Sequence, residues 1–319
     1  EDGLVGHSAY AIVQDAAGHL WFRSRQGVSR YDGVAWTAYT VDDGLVESSI
    51  GFWPTVLVSD RDGNVWFGSD LGGVSRFDGS RWTSFDTVGE RKFGGVWGAT
   101  QDRDGAMWFA TDAGVVRHQD GNWRTYDVSD GLAGSHVRAV ASDSSGALWF
   151  ATTTGLSRLE QQTWTTYLAG EETAGVLCAS DGDLWVSTDS GVYHFDGNEW
   201  QNFPSAGTPL FRVGQIFEDS RGDIWLGSRG AGVWRYDGTR FHSYGLDDGL
   251  PHPIVKPVAE DPEGRLWFGT PGGVSRYDGA EWLTLTSREG LPHDTVRAVF
   301  EDRDGNIWAT DTQASKDGT

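Results

Sequence analysis

The stretch Leu266-Trp267-Phe268-Gly269-Thr270-Pro271-Gly272-Gly273-Val274-Ser275-Arg276-Tyr277-Asp278-Gly279-Ala280-Glu281-Trp282-Leu283-Thr284-Leu285 decides the fold. It reads as three short strands of aromatic and β-branched residues, the types that suit a half-buried pleat. Gly272-Gly273 and Asp278-Gly279 punctuate it as turns. The strand that belongs before it is seen in the next repeat as Val296-Arg297-Ala298-Val299-Phe300, followed by the tight turn Asp302-Arg303-Asp304-Gly305. Together these pieces make a unit of four antiparallel strands.

The unit recurs on a beat. Trp21, Trp66, Trp108, Trp149, Trp185, Trp225, Trp267 and Trp308 lie 45, 42, 41, 36, 40, 42 and 41 residues apart, each three residues after a glycine. A strand-rich period near 40 predicts an all-β radial repeat, a β-propeller with four-stranded antiparallel blades. The repeat makes residues 1–319 one expected domain. Seven units are complete and the eighth stops after Trp308, so we expect eight blades with an incomplete last one; seven blades plus an extra hairpin is the alternative. Residues before Glu1 in a longer parent chain could supply the missing strand, and any export signal would lie there too.

Aligned columns assign structural work. Nine residues before the key Trp every position is aliphatic, from Ile12 to Val299, as core requires. Six residues before it stand Asp15, Asp60, Asp102, Asp143, Ala179, Asp219, Asp261 and Asp302. Seven carboxylates in register point to capping of turn N–H groups rather than catalysis. A basic column, Arg30, Arg76, Arg117, Arg158, His194, Arg235 and Arg276, is expected to pair with carboxylates at blade edges.

Composition excludes several functions. The net charge is −21, with three lysines against 22 arginines, and such a field repels nucleic acid. Cys178 is the single cysteine, which excludes an intramolecular disulfide and a cysteine zinc site. There is no run of 18 apolar residues, so no membrane insertion is expected. No cofactor and no metal are implied, and the chain reads as a monomer.

The motifs 60–85 and 261–282, with the linker Tyr39-Thr40-Val41-Asp42-Asp43-Gly44-Leu45, resemble two-component regulator propeller repeats. The resemblance spans nearly the whole chain. It implies a bacterial sensor module outside the cytoplasmic membrane, periplasmic or extracellular, that reads a ligand, often a carbohydrate.

Function is sought where the repeat is broken. Eleven residues before the key Trp the column is irregular: Tyr10, Thr55, Trp97, Arg138, Ala174, Gly214, Lys256 and Arg297. If it rings one mouth of the central channel, Arg138, Lys256 and Arg297 with Tyr10 and Trp97 suit an anionic or sugar-like ligand. Loops expected on the same face add Trp53, Arg91 and Arg212, and Arg23, Arg25 and Arg229 stand out between second and third strands. The leading reading is a non-enzymatic binding module for a small molecule, an oligosaccharide or a protein partner, with no catalytic residues assigned. One alternative is a polysaccharide lyase-like enzyme using Tyr10 with Arg138 or Arg297. The other is a scaffold without a ligand, its channel residues plugging the pore.

Overall fold

The computed structural model describes residues 3–6, 8–47, 56–204, 213–256 and 258–311. Seven antiparallel sheets of four strands run in chain order from first to fourth strand, so the fold is a β-propeller of four-stranded blades. In blade 3 the strands are Val96–Gln101, Met107–Thr111, Gly114–Gln119 and Asn122–Tyr126. No α-helix occurs among the described residues; two single-turn helices, Val41–Asp43 and Leu246–Asp248, sit in linkers. The eighth repeat contributes a two-stranded sheet, Val296–Glu301 with Ile307–Asp311, so seven blades are four-stranded, as the alternative count has it.

The chain divides into two compact units, residues 1–40 with 219–319 and residues 41–218. Within the first, the eighth repeat packs against blades 7 and 1. The Arg303 backbone N–H donates to Gln14 Oε1 at 2.9 Å, and Thr310 Oγ1 donates to the Ala9 carbonyl at 2.8 Å. Within the second, successive first strands of blades 3, 4 and 5 lie side by side.

The aspartate column caps turns as expected and also fixes the core. In blade 2, Asp60 Oδ1 accepts the N–H groups of Asp62 and Asn64 at 3.1 and 2.8 Å, while Oδ2 accepts Trp66 Nε1 at 2.7 Å. The same indole bond recurs at 2.7–2.9 Å in the other six turns that carry Asp. Burial pushes the Asp15 carboxyl up, but bonds from Trp21 and His19 outweigh it and hold the group below its ordinary value. Blade 5 has Ala179 instead. There His194 stacks on Trp185 with centroids 4.4 Å apart, and its Nε2 lies 2.5 Å from Asp183 Oδ2.

The basic column differs from expectation. Arg30, Arg76, Arg117, Arg158, Arg235 and Arg276 place their guanidinium carbons 5.3–5.9 Å from the key indole centroids. Strand register explains it: Trp21 pairs with Arg30 and Trp66 with Arg76, so cation and ring share a face. Arg158 and Arg235 also pair with carboxylates.

A second recurrent contact joins neighbouring blades. At several junctions the residue five before the key Trp donates to the one seven before the next. Ser180 bonds Glu218 at 2.8 and 2.5 Å, Ser220 bonds Glu260 at 2.7 and 2.6 Å, and Arg61 bonds Gln101 at 2.9 and 3.0 Å. Pro262 breaks this series, because it has no N–H to give Glu301. Burial, with Asp261, Asp302, Glu260 and Glu263 around it, pushes the Glu301 carboxyl above its ordinary value. A raised carboxyl pKa means the folded state binds the proton more tightly than the unfolded chain. Stability is then lost as pH rises through that range. Glu301→Gln should therefore raise the melting temperature at neutral pH and leave it nearly unchanged well below pH 4. Melting curves across pH check this; an equal effect at both ends would contradict it.

A cationic cluster at the first-strand bulges

The irregular column has a structural cause. The first and second strands pair with a register shift between Ala9 and Ala11, Val96 and Gly98, Val137 and Ala139, Thr173 and Gly175, and Val296 and Ala298. Tyr10, Trp97, Arg138, Ala174 and Arg297 are the residues at the shift. A bulge leaves one residue without a ladder partner and re-aims its side chain. The residue before it is buried in each case, at 0–3% exposure, so the blade is anchored while the bulge position is free to vary.

Residues 1–40 and 219–319 bring three cations together. Lys256 precedes the first strand of blade 7 and donates its backbone N–H to the Gly269 carbonyl at 2.9 Å. Burial first, then the charges of Arg297 and Arg229, push its ammonium below the ordinary lysine value, and no carboxylate is among the influences on it. Arg229 follows the second strand of blade 6 and bridges to Ile254. The Arg297 Nε is buried without a hydrogen-bond partner among the described residues. On the neighbouring strand, Tyr10 carries the Arg25 guanidinium 5.8 Å from its ring centroid. Like charges gathered around a buried lysine are costly in an apoprotein and suited to an arriving anion.

Residues 41–218 treat their members of the column differently. Arg138 is ion-paired to Glu172, which precedes the first strand of blade 5. Trp97 lies with its ring 5.8 Å from that of His136, and its Nε1 is buried without a partner among the described residues. Arg91 is not at a bulge. Residues 87–92 form their own hairpin, Thr87–Val88 with Arg91–Lys92, against the fourth strand of blade 3. There Arg91 Nη1 bonds Asp127 Oδ2 at 2.9 Å. The Ser129 hydroxyl and N–H, then Arg91, hold the Asp127 carboxyl down at about 2. Trp53 and Arg212 lie outside the described residues. A cation does stand over the Tyr10 ring, but it is Arg25, a residue the lyase reading did not invoke.

Comparisons agree with this architecture. Residues 249–272 and 290–313 match the model of the two component regulator propeller family. Comparison with curated proteins returned no match. Among solved structures, the chain is similar to the extracellular domain of BT3049 of B. thetaiotaomicron, described as a hybrid two component system. The match has 19% identity and a TM-score of 0.50, and covers 97% of this chain and 50% of that one. The chain thus spans about half the length of that relative. Virginiamycin B lyase from Staphylococcus aureus is similar at 19% identity and TM-score 0.62, over 83% of this chain and 93% of that one. The computationally designed Ika8 protein is similar at 12% identity and TM-score 0.65, over 98% of both chains. At these identities the likeness is one of fold. No helix among the described residues is long and apolar enough to cross a membrane.

Proposed function

We propose that this propeller is a sensor-type binding module, working in the periplasm or outside the cell, that recognises an anionic carbohydrate where the first strands of blade 7, the eighth repeat and blade 1 begin. The observation that carries the reading is the Lys256, Arg297 and Arg229 cluster, whose lysine feels two guanidinium charges and no carboxylate within a chain of net charge −21. Such a cluster is stabilised by a sulfate or uronate group. Tyr10, beside it, offers a ring face to the sugar. The match to the two component regulator propeller model supports the sensor role.

Oligogalacturonate and sulfated dextran, with unsulfated dextran as the charge control, test the reading through melting temperature and tryptophan fluorescence. The anionic ligands should stabilise the protein, and less so at high salt. Lys256→Ala or Arg297→Ala should weaken their binding about tenfold or more, while Arg91→Ala should leave it unchanged. Any response to unsulfated dextran should survive Lys256→Ala. Absence of an anion-specific response, or one indifferent to both substitutions, would overturn the reading.

A further inference from the structure

Within residues 41–218 a groove of about 470 Å³ opens between blades 3 and 4. Tyr126 and Trp164 of the two fourth strands line it, and Arg124, Asp104, Gln161 and Gln162 stand at its walls. Gln161 and Gln162 occupy the two-residue turn between Glu160 and Thr163, with φ of 47° and 72°. Blade 3 makes the same turn with Asp120-Gly121, at φ 51° and 78°. Such turns favour Asn-Gly or Asp-Gly, because both positions are left-handed. Two glutamines there hold a strained backbone. Neither side-chain amide has a hydrogen-bond partner among the described residues. Arg124 lies 4.4 Å from the centroid of Tyr126 and has no ion pair among the described residues.

We propose that this groove binds a neutral saccharide. Each glutamine amide offers one acceptor and two donors, which match vicinal hydroxyl pairs. The guanidinium and the Asp104 carboxylate add a donor and an acceptor, and Tyr126 and Trp164 supply flat apolar surface for a pyranose ring. The charge balance argues for neutrality. Arg117 and Arg124 share the lining with Asp102, Asp104 and Asp130, so the groove carries no excess of positive charge to hold an anion. The site is therefore opposite in character to the cationic cluster and independent of it. The strained turn is explained as the cost of presenting two amides at the groove.

The test converts the turn to its blade 3 counterpart with the double substitution Gln161→Asp, Gln162→Gly. That variant should fold and melt higher than the wild type, since the strain is relieved. Maltose, cellobiose and xylobiose are the probes, titrated against tryptophan fluorescence up to tens of millimolar. At least one should bind the wild type, and its affinity should fall about tenfold in the double variant and in Arg124→Ala. Lys256→Ala should leave that affinity unchanged, which separates this site from the anion site. If none of the three binds, or if binding ignores both variants, the groove is no saccharide site and the turn is strained to no purpose.

Discussion

Asp60→Ala should lower stability by about 3–4 kcal/mol, read as a melting temperature several degrees lower, with the fold retained. The carboxylate is 7% exposed and accepts four donors: two turn N–H groups, the Asn64 amide and the Trp66 indole. Alanine leaves the indole N–H inside the blade with no acceptor. A buried unpaired donor costs about 1–3 kcal/mol, and the turn N–H groups lose their cap as well. Trp66 itself is 1% exposed and packs against Phe109 and Trp123 of the next blade. Loosening it therefore weakens an inter-blade contact as well as a turn. Blade 5 predicts why the fold persists. With Ala179 in place of the carboxylate, the sheet still forms, and a stacked His194 tied to Asp183 covers its Trp185. Asn at position 60 should recover part of the loss, because its carbonyl can still accept one of the bonds. A melting temperature unchanged in Asp60→Ala would mean the indole bond contributes nothing beyond packing.

The repeat itself was readable because its physics is local. The turn Asp, its Gly and the key Trp lie within seven residues, so one short window holds both bonding partners. The Arg-over-Trp contact joins residues nine or ten apart across a hairpin, and its register could have been counted from the alternation. What hid it was the expectation that a cation seeks a carboxylate. The bulge could not be counted, because it is a property of two strands in register. Its trace in the sequence is the variability at Tyr10, Trp97, Arg138 and Arg297, which identified the column without its cause. Arg91 was misplaced because residues 87–92 build a hairpin of their own against an outer strand instead of a loop beside an inner one. Arg138 and Lys256 look alike in sequence; only three dimensions show one neutralised by Glu172 and the other facing two more cations. The groove at Gln161 and Gln162 has a trace in the sequence, a two-residue turn with no glycine, but neither residue carries a charge to set it apart from an ordinary loop.

Gly114→Ala should cost about 3–5 kcal/mol, as much as the loss of a large core side chain. Gly114 opens the third strand of blade 3 at φ +113°, a conformation that L side chains rarely adopt. A Cβ there would also overlap the backbone carbonyl of Tyr126 on the fourth strand. A backbone atom held in a ladder cannot swing aside as a side chain would, so strain and clash add. Glycine stands at the equivalent place in every four-stranded blade, as Gly27, Gly73, Gly155, Gly191, Gly232 and Gly273, always at positive φ. Gly121→Ala, in the same blade, brings strain without the clash. It also needs positive φ, at +78°, but has no atom within 4 Å of the added carbon. It should cost only about 1–2 kcal/mol. The difference between the two variants measures the clash together with the greater backbone strain at φ +113°. Its consequence reaches the groove, because Tyr126 stacks on Trp108 at 5.4 Å and meets Trp164 at 5.7 Å. A fourth strand displaced to admit the alanine methyl would move the ring that lines the groove. Thermal melting of the two variants, with near-ultraviolet circular dichroism to follow the aromatic packing, distinguishes this account from one in which the two glycines are equivalent turn residues and their substitutions cost the same.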